Sequence, residues 1–219
     1  MAALNPHSVL VTGSNRGLGL EMVRQLVGGK NPPKKIFATC RDPEGARAQD
    51  LRNLAREHKQ IEIIKLVVSD PTSIKAAAAR VTEQLGGSGL NLLINNAAIA
   101  KVSTLAAETR ENMMEVYETN VVGPMMVSQA FTPLIKKAAQ ESPQKGMSCS
   151  KAAIINLSSE GGSITNVLLF ESGQVVNYRC SKAKLKVDQS VQDILNTISK
   201  LSEKDTGTFV NWEGKPVPW

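Results

Sequence analysis

Tyr178 and Lys182 stand four residues apart in Tyr178-Arg179-Cys180-Ser181-Lys182. On a helix that spacing puts both side chains on one face. An ammonium beside a phenol favours the phenolate and lowers a pKa that starts near ~10. Such a phenol is a usable proton donor or acceptor near neutral pH. Ser158-Ser159 follows the apolar run Ala152–Leu157, where a hydroxyl at the carboxyl end of a strand would face a ligand crevice. Thr12-Gly13-Ser14-Asn15-Arg16-Gly17-Leu18-Gly19 follows the apolar run Ser8–Val11. Its glycines let a backbone approach a pyrophosphate, and the helix that follows offers free N–H groups and a positive dipole end. The spacing G-x-x-x-G-x-G differs from the common G-x-G-x-x-G fingerprint. The run Ala38-Thr39-Cys40-Arg41-Asp42 ends in an arginine. In dinucleotide folds a carboxylate at that place holds a ribose 2′-OH, whereas arginine suits a 2′-phosphate. Arg41 with Arg16 therefore points to NADPH over NADH. Asn95-Asn96-Ala97-Ala98 closes a further apolar run; its small residues permit a close cofactor and its amides can tie strands together. Each motif also has an ordinary reading. Tyr-x-x-x-Lys is frequent, Ser-Ser is a common turn, and Arg41 can pair with Asp42 or Glu44.

The elements that must position these residues alternate regularly. Short apolar runs read as strands at Ser8–Val11, Lys35–Thr39, Ile61–Val68, Leu90–Ile94 and Ala152–Leu157, with a last short one at Thr208–Trp212. Helical spacing covers Leu18–Val27, Gly45–His58, Pro71–Leu85, the long stretch Asn112–Lys137, and Asn177–Leu201. Strands alternating with helices make βαβ units and a parallel sheet. Near-continuous apolar strands mean that helices cover both faces. The expected architecture is α/β: a doubly wound parallel sheet, Rossmann-like, in a single domain over residues 1–219.

Composition agrees. The 219 residues are 42% apolar and 21% charged, with a mean hydropathy of −0.15, as in globular chains. Aromatics are only 4% and the net charge of +6 is dispersed, so nucleic acid is not the expected partner. Cys40, Cys149 and Cys180 are far apart and His7 and His58 are the only imidazoles; no metal site is expected. No run of ~18 apolar residues exists to enter a membrane. The N-terminus lacks a basic and apolar leader, so the expected location is cytoplasmic.

The order of the motifs is more specific than any one of them. The turn Gly13–Gly19, Arg41, Asn95–Ala98, Asn120, Ser159, then Tyr178 and Lys182 resembles the short-chain dehydrogenase/reductase family, and within it the C-factor-like and sniffer-like carbonyl reductases. The resemblance runs from about Val9 to Lys182 and resumes from about Val187 to Trp219. It implies a Tyr178 that protonates a carbonyl oxygen and a Ser159 that hydrogen-bonds the same oxygen. It implies a Lys182 that holds the nicotinamide ribose and depresses the Tyr178 pKa. Asn120, in Thr119-Asn120-Val121-Val122-Gly123, would hold a water in a relay to Lys182; its ordinary reading is a helix-interior Asn bonded to backbone. The substrate would be a small carbonyl compound, and the apolar Val167–Phe170 within Ser163–Gly173 favours a hydrophobic one. Members often dimerise through helices corresponding to Asn112–Lys137 and the Tyr178 helix, which makes a homodimer an expectation.

Three departures stand out. Ala98 replaces a usual glycine. Val67 stands where an adenine-contacting Asp is frequent, with Asp70 as the candidate to take its place. Only 37 residues follow Lys182, too few for two more helix–strand units. The chain thus reads as an internally deleted form lacking one crossover, joined within Ala183–Val187. The slot beside the fifth strand would stand empty unless Thr208–Trp212 enters it. The alternative function is then a catalytically impaired variant that binds nucleotide or a full-length partner.

Overall fold

The computed structural model describes residues 4–159, 176–179, 187–208, 210–211 and 213–216. Five strands, β1 (Ser8–Thr12), β2 (Lys35–Cys40), β3 (Ile61–Lys65), β4 (Leu92–Asn95) and β5 (Ala153–Asn156), form one sheet in the order β3-β2-β1-β4-β5. Every pairing is parallel. The helices are α1 (Gly17–Gly28), α2 (Gln49–Glu57), α3 (Pro71–Leu85), α4 (Arg110–Tyr117), α5 (Gly123–Glu141), α6 (Val176–Arg179) and α7 (Val187–Lys200).

Alternation within the apolar strands explains the two layers. Val9, Val11, Ile36, Ala38, Leu92 and Ile94 point to one face and pack with α1, α2 and α7 through Met22, Val23, Leu51, Leu195 and Ile198. Leu10, Phe37 and Leu93 point to the other and meet α3 and α5 through Ile74, Val81, Val127 and Phe131. The doubly wound parallel sheet expected from the sequence is the observed fold. Helix α3 starts and stops where its pattern does: Pro71 opens it, and Gly86 closes it at φ 55°.

Two expectations need correction. The long helix over Asn112–Lys137 is not continuous: α4 passes into a π-helical turn at Glu118–Val122 before α5 begins. Pro124 has no N–H for the Asn120 carbonyl and its ring crowds that oxygen, so the helix widens there. The last strand, Thr208–Trp212, does not join the sheet among the described residues. Val210 instead forms an antiparallel bridge with Pro216, in a tight hairpin closed by Asn211 N–H to Lys215 O at 2.9 Å. Among the described residues β5 is therefore an edge, paired with β4 alone. No described helix is long and apolar enough to cross a membrane.

Candidate active site

The strand order reverses between β1 and β4, and loops leaving their carboxyl ends must diverge there. A cleft of about 1710 Å³ opens at this point. One end is walled by the turn after β1. Gly13 has φ 69°, and a Cβ there would lie 2.9 Å from Ala97 Cα. A Cβ on Gly19 would collide with Gly13 O and lie 2.6 Å from Asn96 Nδ2. Gly13 is thus dictated by the loop after β4 and Gly19 by both that loop and the Gly13 carbonyl, whereas above Gly17 the space is open. Helix α1 begins at Gly17 with Arg16 before it and no side-chain cap, which leaves its first N–H groups as an anion site.

Three arginines, Arg16, Arg41 and Arg47, line the same end. Sequence reasoning missed Arg47. It enters because Asn15 Nδ2 donates to Arg47 O at 3.3 Å, folding the short turn Ala46–Ala48 towards the glycines. Asp42 also lines the cleft, but its carboxylate accepts the Gly45 N–H at 3.0 Å. Cationic charge therefore predominates at this corner. Ser14 lies behind the wall: it is fully buried, and its hydroxyl donates to Val11 O at 2.8 Å. Its N–H donates to Thr39 O at 2.9 Å.

Asn96 and Ala97 face the cleft and are fixed by β1. The Thr12 hydroxyl accepts both the Asn96 N–H at 3.0 Å and the Ala97 N–H at 2.9 Å. Asn96 Nδ2 donates to Thr12 O at 2.8 Å. Asn95, buried, donates to Asn156 Oδ1 at 2.8 Å and to Ser128 Oγ at 3.0 Å, tying β4 to β5 and α5. Thr12 was not singled out from the sequence; its place just before the glycine turn was the available signal. Val67 and its neighbours line the cleft, while Asp70 does not. Asp70 instead caps α3, accepting the Thr72 N–H at 2.9 Å.

At the other end Tyr178 lines the cleft with Ser158 and Ser159. Burial pushes the Tyr178 phenol above its ordinary pKa, opposite to the direction expected from a neighbouring lysine. Lys182, Ser163–Gly173 and the Ala183–Val187 join, apart from Val187 itself, lie outside the described residues. Asn120 sits in the π-helical turn and grips one residue of the cleft wall. Its Oδ1 accepts the Ile99 N–H and its Nδ2 donates to Ile99 O, both at 2.9 Å.

A glycine-lined, uncapped helix N-terminus thus shares one cleft with a half-buried phenol and two serine hydroxyls. Comparison with known proteins gives the same picture. The sequence model described as short chain dehydrogenase matches residues 7–187. Among solved structures, the chain is similar to an NADPH-bound carbonyl reductase from chicken fatty liver. That likeness has 48% identity and a TM-score of 0.92 over 99% of this chain and 100% of that one. The carbonyl reductase Sniffer of D. melanogaster is 33% identical, with a TM-score of 0.90 over 98% of this chain and all of that one. An uncharacterised oxidoreductase of Schizosaccharomyces pombe is 27% identical over 249 residues, covering 95% of this chain and 96% of the relative. By sequence match, fold and site, the chain belongs to the short chain dehydrogenase family of oxidoreductases.

Proposed function

We propose that the chain is an NADPH-dependent reductase of small carbonyl compounds. The observation that carries this is one cleft joining an uncapped, arginine-flanked helix N-terminus to Tyr178 and Ser159. The open space over Gly17 and the cationic corner fit a dinucleotide bearing a 2′-phosphate. The α1 N–H groups would hold its pyrophosphate, Arg16 and Arg41 its 2′-phosphate, and Asn96 and Ala97 its nicotinamide side. Bound NADPH supplies the hydride. Tyr178 Oη donates the proton that the carbonyl oxygen gains, and Ser159 hydrogen-bonds that oxygen. A phenol held above its usual pKa is protonated at neutral pH, the state that reduction requires. Lys182 is assigned the ribose contact and a counter-pull on the phenol by family resemblance, and Asn120 the relay water. Assembly as a homodimer is supported by the exposed apolar side chains Met114, Tyr117, Val121 and Met125 along α4, the π-helical turn and α5.

A second reading has its own support. The alignment with the yeast relative runs over 249 residues, against 219 in the chain, so the relative has positions without a counterpart here. With β5 an edge among the described residues, an internally deleted form with impaired turnover is the alternative. Thermal unfolding with and without NADPH separates the two, because a ligand that binds only the folded state must raise the transition. A cooperative transition that rises with NADPH, followed by NADPH oxidation on adding a hydrophobic ketone or aldehyde, supports the reductase. A rise without turnover supports the impaired variant, and indifference to NADPH defeats both nucleotide readings.

A further inference from the structure

We infer that Asn177 is a positioning residue for Tyr178, acting with Glu108 to hold α6 in the orientation that turns the phenol into the cleft. The inference rests on the reading of Tyr178 as proton donor. Asn177 is 1% exposed, so its amide has exchanged water for protein partners. Its Nδ2 donates to Glu108 Oε2 at 2.6 Å, and its Oδ1 accepts the Lys101 N–H at 3.3 Å. Neighbours on a helix point about 100° apart. Anchoring Asn177 inward therefore fixes where Tyr178 points. These two bonds tie α6 (Val176–Arg179) to the loop between β4 and α4.

The surface that receives Asn177 is itself held at several points. Asn120 grips Ile99, two residues before Lys101. The Lys101 ammonium donates to Asn112 Oδ1 at 3.1 Å and pairs with Glu115 on α4. Glu108 accepts the Thr109 N–H at 3.0 Å, and Thr109 caps α4. Burial pulls the Glu108 carboxyl upward, but its bonds from Thr109, Asn177 and Asn112 outweigh that and hold it ionised. Two asparagine amides, Asn120 and Asn177, thus act two residues apart on one loop. Through it the π-helical turn and the tyrosine are held in a common frame.

The chain has two tyrosines, Tyr117 and Tyr178, which permits a test independent of turnover. In a Tyr117→Phe background, tyrosinate absorbance against pH reports Tyr178 alone. Asn177→Ala and Glu108→Ala should both lower its midpoint towards the ordinary phenol value, because a loosened α6 admits water. Glu108→Gln keeps an acceptor for Asn177 Nδ2 and should leave the midpoint unchanged. In carbonyl reduction, Asn177→Ala should cut kcat about 10- to 100-fold with KM for NADPH unchanged, and Glu108→Gln should stay near the parent. Folded Asn177→Ala and Glu108→Ala proteins that titrate like the parent would overturn the inference. If Asn177→Ala does not fold, the Glu108 pair decides by itself. If the parent reduces no carbonyl, the functional reading fails, and the titration still decides whether Asn177 positions the tyrosine.

Discussion

The glycine corner and the tyrosine corner of the cleft are built differently. All residues of β1 and β4 are buried, and the loops that leave them interlock through Thr12, Asn96 and Ala97. Removing one of these bonds leaves the others. In β5, by contrast, three residues are half-buried and Asn156 is exposed. Among the described residues, the Asn177 amide ties the Tyr178 turn to the loop between β4 and α4. The glycine corner is over-determined by consecutive βαβ crossovers, while among the described residues the tyrosine corner is held by a few long-range tethers. Substitutions at the two corners should differ accordingly.

The sharpest separation is expected from Tyr178→Phe. Carbonyl reduction should fall by roughly 10²–10⁴-fold, while the NADPH-induced rise in melting temperature persists. Loss of that rise as well would join the two corners energetically.

A smaller effect should appear in alkali at the β5 side. Burial first, and the Asp205 charge second, push the Cys149 thiol from 9.0 up to about 11. The unfolded chain therefore releases this proton first. The contribution is complete below pH ~9 and is lost as pH rises towards ~11, about 2–3 kcal/mol in all. Urea unfolding at pH 8 and pH 10.5 should show this loss, and Cys149→Ser should reduce it. Equal pH dependence in the two proteins would exclude Cys149 as its source.

At the glycine corner, Arg41→Ala or Arg16→Ala should weaken NADPH by about tenfold and leave NADH nearly unchanged, as titration calorimetry would read. Equal loss for both cofactors would remove the 2′-phosphate assignment. The smallest change is expected from Asp70→Ala. It should destabilise the chain by about 1 kcal/mol through the lost α3 cap without altering NADPH affinity. A fall in affinity would restore Asp70 to the nucleotide site.

Much of this was legible because local chemistry decides it. Apolar runs bounded by breakers gave the five strands, Pro71 and Gly86 bounded α3, and the glycine turn marked a candidate anion site from its own residues. Some features needed the fold. The break in the long helix follows from Pro124, but whether a proline kinks, ends or widens a helix depends on what packs around it. Thr208–Trp212 has strand composition, yet the pairing of Val210 with Pro216 is settled by proximity. The spacing of Tyr178 and Lys182 marked a candidate proton donor, and its neighbour Asn177 looked like any polar residue. Only tertiary structure buried that amide against Glu108 and Lys101, because hydrogen bonds between residues 69 and 76 positions apart leave no trace in local pattern.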